Sequence, residues 1–312
     1  MSSHEFISTL FRDELAPADR TAVRDLIRAA AEADRIGPVS EDARLALAHG
    51  RSGADFLLAH TTQGELAGYA FAGPTVEHGA RTAELVVAPA RRHHGLGADL
   101  AAGLIAAAAG RPDRPLEFWA HGDHPAARKL AAALGFRAVR ELRLLKLTVE
   151  RPGPAVPPLP AGAELRTFRP GADEETWLDL NARAFAHHPE QGSWTAADLA
   201  ERTAEPWFDP AGFFLLAVDG RPVGFHWTKV HPAGEYGPEP VGEVYVVGID
   251  PAAQGHGYGK LLTAAGLRHL ADAGLGEIVL YVDADNTAAV HLYAGLGFRL
   301  ESADIMYAKP FG

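Results

Sequence analysis

The residues best suited to hold a charged ligand occur twice in this chain, at one spacing. Pro89-Ala90-Arg91-Arg92-His93-His94-Gly95-Leu96-Gly97 and Pro251-Ala252-Ala253-Gln254-Gly255-His256-Gly257-Tyr258-Gly259 stand 162 residues apart. Ala133-Leu134-Gly135-Phe136-Arg137 returns as Gly295-Leu296-Gly297-Phe298-Arg299 at the same offset. Two separated motifs that keep one register mark a duplicated domain. Glycines in such a loop let the backbone approach a ligand and aim successive N–H groups at it. A helix starting there adds its positive dipole end, so the loop suits a pyrophosphate. The spacing is not the six-position dinucleotide fingerprint, and no Gly-Lys-Ser/Thr follows, so Rossmann and P-loop readings fail.

The elements that must carry these loops follow one coarse order in each half. Helices are predicted first, over 18–33 and 41–49, then over 174–185 and 196–203. Strands 56–59 and 66–71 match 214–218 and 222–229, with Gly64 and Asp219-Gly220 as turn signals. Strand 84–87, or 243–249, leads into the glycine loop and a long helix, 95–109 or 257–273. A strand, a helix and two final strands follow in each half. This is an α/β pattern: two tandem domains, each with a mixed, mostly antiparallel sheet covered by helices. Arg151 to Pro160 carries five prolines in ten residues and reads as an extended spacer. The predicted division is 1–150, a linker 151–162, and 163–312.

Composition narrows the function classes. The 312 residues suit about two domains of roughly 150 residues. A formal net charge of −11 with no Lys/Arg-rich run argues against a nucleic-acid binder. The absence of cysteine removes disulfides and thiolate metal sites. No stretch approaches the ~20 apolar residues of a membrane span, and residues 1–14 lack the apolar core of a signal peptide, so a cytoplasmic location is expected. The histidines include two adjacent pairs, His93-His94 and His187-His188, but no HExxH, so no metal is expected.

The pattern Gln/Arg-x-x-Gly-x-Gly, followed by Asn286-Thr287-Ala288-Ala289-Val290 and Tyr293-x-x-x-Gly297-Phe298, resembles the GNAT family of acetyl-CoA-dependent N-acetyltransferases in both halves. The segments Phe185–Trp194, Trp207–Pro210, Gly224–Pro232 and Gly242–Gly248 further resemble a tandem-domain branch of it. That branch acetylates the cysteinyl amine of a cysteinyl-glucosaminyl-inositol. The resemblance implies acetyl-CoA as acetyl donor, held by Val247, Gly248 and Ile249, by Gln254, Gly255, His256, Gly257, Tyr258, Gly259 and Lys260, and by Asn286, Thr287, Ala288, Ala289, Val290 and His291. In the first half the corresponding cradle is Leu85, Val86, Val87, Arg92, His93, His94, Gly95, Leu96 and Gly97. A strand N–H beside the thioester oxygen would stabilise the oxyanion.

The same resemblance makes Glu243 the general base and Tyr293 the acid that protonates the departing thiolate. For the acceptor it implies Glu190, Lys229, Tyr281 and Glu243, with Glu41 from the first half. Subtracting the offset puts Arg81 and Ala131 opposite Glu243 and Tyr293. Neither serves as base or acid at neutral pH, so chemistry is expected in the second half alone. Two other readings stay open. One is a tandem GNAT enzyme for another amine, such as a protein N-terminus or an antibiotic. The other is a CoA-sensing module without catalysis. The expected partner is a small-molecule amine, with neither nucleic acid nor membrane.

Overall fold

A computed structural model describes residues 6–74, 80–108, 116–186, 189–234 and 236–309 of the chain, without the side chains of residues 189–190. The chain forms two compact units. The first holds residues 1–143, 283–285 and 302–312, and the second residues 144–282 and 286–301. The first unit lies mostly in the first half of the chain and the second mostly in the second half; residues 283–285 cross over, as do parts of the last strands. The stretch 144–148, from the first half, belongs to the second unit, and 302–308, from the second half, belongs to the first.

In the first unit the order along the sheet is β1 (Phe6–Arg12), β2 (Asp55–Thr61), β3 (Leu66–Ala72), β4 (Arg81–Val87), β5 (Leu116–Ala120) and the end of β12 (Arg299–Ala308). All neighbours are antiparallel except β4 and β5. Helix α1 (Pro17–Asp34) and α2 (Glu41–His49) cover one face. There Val23, Leu26, Ala43 and Leu47 pack on Phe56, Tyr69, Phe71 and Val86. Helix α3 (Leu96–Ala108) covers the other face through Leu96, Leu100 and Leu104. Helix α4 (Pro125–Ala133) places Ala131 against Phe136 and Tyr307.

The second unit repeats the plan. Its order is the end of β6 (Arg137–Thr148), β11 (Glu277–Asp283), β10 (Val241–Ile249), β9 (Arg221–His231), β8 (Phe213–Val218) and β7 (Ala163–Thr167). On one face lie α5 (Glu174–Ala184), α6 (Pro189–Gly192) and α7 (Ala196–Thr203). Trp177, Leu180 and Leu199 from these helices pack there on Phe213, Phe225 and Trp227. On the other face α8 (Tyr258–Asp272) and α9 (Thr287–Gly295) pack on Val244, Ile278, Leu280 and Val282.

Three sequence expectations are corrected. Each unit begins its sheet with an edge strand, β1 or β7, rather than with a helix. Both are short and mostly exposed or half-buried, so neither carries a clean alternating signature. Each half ends in one long strand rather than two, because no glycine or proline interrupts 137–148 or 299–308. Arg81 is not the counterpart of Glu243, for a reason that belongs to β10. Among the described residues no helix is long and apolar enough to cross a membrane.

Candidate active site

The site in the second unit is organised by an irregularity in β10. Strand β10 pairs antiparallel with β9, Glu243 opposite Lys229 and Val244 opposite Thr228, but Val246 then stands opposite Trp227. Tyr245 is the extra residue of a β-bulge, which breaks the alternation of sides along the strand. Before the bulge Val244 faces the α8–α9 core. After it Val247 faces that same core, while Val246 joins Trp227 under α5. Pairing to β11 is parallel and covers only Gly242 with Ile278 and Glu243 with Val279. Beyond Glu243 the two strands part, and the backbone of Val246 to Ile249 is left unpaired on the β11 side.

Glu243 is the last β10 residue before this parting. Its side chain is buried, and Oε2 lies 2.7 Å from Nε2 of His231, which is 1% exposed. The other oxygen, Oε1, has no hydrogen-bond partner among the described residues. His231, Lys229 and Trp227 alternate along β9 and so share one side of the sheet with Glu243. Lys229 is buried, its ammonium 4.5 Å from the Trp207 ring and 5.2 Å from that of Tyr245. The Tyr245 hydroxyl accepts a 3.0 Å bond from Nε of Arg202, whose guanidinium lies 4.0 Å over Trp194. The ring of Tyr236 meets His231 edge-on at 4.6 Å, and its hydroxyl is 3.2 Å from that of Tyr281. Glu243, His231, Tyr236 and Tyr281 are thus joined by a run of short contacts, with Lys229 opposite Glu243 in the strand register. Tyr281 is 38% exposed and forms its outer end. Sequence reading singled out neither His231 nor Tyr245. The alternation His-x-Lys-x-Trp, read backward from His231, was the available signal. The Glu190 side chain lies outside the described residues, and Glu41 opens α2 in the first unit.

Strand β10 runs directly into the glycine loop. Gly255 and Gly257 have φ of +82° and +80°, and a Cβ at either would meet nothing within 4 Å. Both features favour glycine and leave open space above the loop. Gly257 is the N-cap of α8 and no side chain caps that end, so the N–H groups of Tyr258, Gly259 and Lys260 have no intrahelical acceptor. The His256 and Tyr258 rings stack at 5.6 Å beside them. This uncapped, open helix start fits a pyrophosphate group. Gly248 has a different explanation: a Cβ there would lie 2.5 Å from the Phe225 ring, so packing already demands glycine. Asn286 caps α9, accepting from the N–H of Ala289 at 3.1 Å. Along α9, Asn286, Thr287, Ala288 and His291 are exposed, while Ala289 and Val290 are half-buried against β10.

Tyr293 points into the same core as Val244 and Val247. Burial pushes its phenol up to about 12. The hydroxyl therefore keeps its proton throughout the neutral range, as a proton donor must.

The first unit repeats the glycine loop and helix start but has neither a glutamate nor a tyrosine at the positions matching Glu243 and Tyr293. Strand β4 pairs with β5 from Arg81 to Ala83 and then parts from it, as in the second unit. No bulge interrupts β4 against β3. Arg81 pairs with Leu116 and Thr82 with Glu117, where Gly242 and Glu243 pair with Ile278 and Val279. Thr82 is therefore the counterpart of Glu243; the bulge shifts the sequence alignment by one. Arg81 is instead a buried structural cation. It pairs with Asp55 at 2.8 Å and donates to the carbonyls of Gly73, Ala72 and Gly53. In the loop, Gly95 has φ +87° and open space, and His93 takes φ +67° where the second unit has Gly255. Arg92 is held by two 2.7 Å bonds to Asp34, while its counterpart Gln254 is exposed.

A bulged strand parting from its parallel neighbour, with a glycine-started helix below it, defines the class. The sequence profile of the acetyltransferase (GNAT) family matches residues 21–136 and 174–298, and the chain belongs to that family. The chain is 52% identical over 294 residues to the mycothiol acetyltransferase of Thermobispora bispora, covering 94% of this chain and 97% of that one. It is 50% identical over 305 residues to the mycothiol acetyltransferase of Catenulispora acidiphila, covering 93% and 95%. A solved tandem GNAT protein from the clavulanic acid biosynthesis pathway shares the fold at TM-score 0.73 and 18% identity, over 99% of this chain and all of that one.

Proposed function

We propose that the second unit transfers the acetyl group of acetyl-CoA to the cysteinyl amine of cysteinyl-glucosaminyl-inositol, completing mycothiol. The observation that carries the assignment of chemistry is Glu243: a buried carboxylate, one oxygen held and the other without a hydrogen-bond partner among the described residues, where β10 parts from β11. The near-full-length likeness to mycothiol acetyltransferases supports the choice of acceptor.

Acetyl-CoA supplies the activated acyl carbon. The uncapped N–H groups of Tyr258 to Lys260 and the open space over Gly255 and Gly257 hold its pyrophosphate. The parted edge of Val247 to Ile249 offers backbone hydrogen bonds to its pantetheine arm and to the carbonyl oxygen. Glu243 accepts a proton from the acceptor ammonium, directly or through one water, which frees the nitrogen lone pair. As the C–N bond forms and the C–S bond breaks, Tyr293 gives its proton to the sulfur. Lys229, Tyr281 and Glu190 orient the hydroxylated acceptor. The first unit keeps a nucleotide cradle without chemistry, because Thr82 and Ala131 stand where the second unit has Glu243 and Tyr293. The chain works in the cytoplasm on a small-molecule amine.

The test is mass-spectrometric detection of the N-acetylated product with cysteinyl-glucosaminyl-inositol, against a panel of simple amines, N-terminal peptides and aminoglycosides. The expected result is a kcat/KM for the cysteinyl pseudodisaccharide at least about 100-fold above any other amine. Equal rates across the panel would overturn the acceptor assignment, and no acetyl transfer at all would favour a CoA-binding module.

A further inference from the structure

We infer that His231 is a positioning residue for acetyl transfer, acting through Glu243. The inference rests on the reading of Glu243 as the general base. An ionised carboxylate only accepts hydrogen bonds, so the hydrogen between His231 Nε2 and Glu243 Oε2 belongs to the imidazole. The contact is 2.7 Å, short for an N–H···O bond, and both side chains are buried. Burial strengthens a satisfied hydrogen bond and makes an unsatisfied one costly, so this contact fixes the carboxylate's rotation.

Two further observations show that the imidazole is itself held, and a third that its neighbour along the strand is. His231 sits at the end of β9 opposite Val241, so its backbone is set by the ladder. The Tyr236 ring packs on it at 4.6 Å. Lys229, two residues back on the same side, is held over Trp207 and Tyr245. The imidazole thus engages Oε2 and leaves Oε1 for the ammonium or its bridging water. Without the donor, Glu243 can rotate about its last torsion, which is broad and twofold in carboxylates, and lose its aim at the amine. Misplacing a proton acceptor by about an ångström costs rate while leaving the donor nucleotide's binding untouched.

The experiment compares His231→Leu, His231→Gln and His231→Asn with Glu243→Gln and the double variant His231→Leu/Glu243→Gln. For each, kcat and the KM of acetyl-CoA are measured on protein checked by thermal melting. The glutamine amide reaches the position of Nε2, whereas the asparagine amide stops short of it. Expected is a kcat about 10- to 100-fold lower for His231→Leu, the range for loss of a hydrogen bond to a charged group. The KM of acetyl-CoA should stay within about twofold. His231→Gln should recover most of the loss and His231→Asn little of it. The double variant should be no slower than Glu243→Gln, because His231 acts only through that carboxylate. If His231→Leu does not fold, the glutamine–asparagine contrast decides. Glu243→Gln inactive with His231→Leu at wild-type kcat overturns the role of His231 alone. Losses that multiply in the double variant, or asparagine equal to glutamine, overturn it too. A Glu243→Gln variant at wild-type kcat overturns both assignments.

Discussion

At the scale of single residues, the proposed function assigns two tasks, one to Glu243 and one to Tyr293, and each gives a distinct kinetic signature. Glu243→Gln removes the proton acceptor and keeps the shape, so kcat should fall by about 10²–10⁴. Acetyl-CoA affinity by calorimetry should change little, because the cradle is built from backbone. A kcat above about half of wild type would end the assignment. Tyr293→Phe removes a hydroxyl from a well-packed site, so the melting temperature should hold while kcat drops. Because burial pushes this phenol up to about 12, it stays protonated from pH 6 to pH 10. The loss should therefore be a constant factor across that range. A pH-rate profile whose alkaline limb moves in Tyr293→Phe would contradict this. Both residues were legible in the sequence only through the family pattern. Their burial, and the hydrogen bond from His231, depend on which strands become neighbours, and spacing does not encode that.

At the scale of elements, the bulge at Tyr245 makes the second unit's strand different from the first's. An inserted residue in β10 keeps Glu243 and Val246 on the α5 side, while Val244 and Val247 face α8 and α9. The sequence offset ignores this insertion and so sets Arg81 against Glu243. The strand register shows Thr82 there instead, and Arg81 tied to Asp55. The helix starts, by contrast, were readable directly, since Gly255, Gly257 and Gly95 announce positive φ and open space. They also give a test that separates the cradles. Gly257→Trp fills the space over α8 and should abolish turnover. Gly95→Trp fills the equivalent space over α3, away from any acid or base, and should leave kcat within about threefold. It should lower the CoA stoichiometry by calorimetry and, with it, any ligand-dependent rise in melting temperature. Loss of turnover in a folded Gly95→Trp protein with activity kept in Gly257→Trp would place the chemistry in the wrong unit.

For the whole molecule, duplication has left two copies of one plan with different buried polar centres. The second unit buries Glu243 beside His231; the first buries Glu84 and Asp304 around His121, at other positions of the plan. His121 Nδ1 lies 2.8 Å from Asp304, and Nε2 lies 3.7 Å from Glu84. The Ser40 and Gly122 N–H groups donate to the same two carboxylates. Tyr69, also buried, is pushed up by burial and by Glu84, and stays neutral. Asp304 reaches this centre only because the last strand of the sequence belongs to the first unit, a pairing that no local pattern announced. Burial alone would discharge His121, but its hydrogen bond to Asp304 and the negative charge of Glu84 nearby outweigh that and raise it to about 10. A histidine raised above its unfolded value near 6.5 stabilises the fold fully below that pH, and the contribution is lost as pH climbs towards 10. The linked free energy is on the order of 5 kcal/mol. The wild-type melting temperature should therefore fall between pH 6.5 and 9.5 by several degrees more than that of His121→Gln, which cannot titrate. At pH 6 the variant should be the less stable protein, because two buried carboxylates lose their cation. Scanning calorimetry of both proteins at pH 6, 8 and 9.5 decides. Parallel curves would show that His121 carries no charge in the folded first unit.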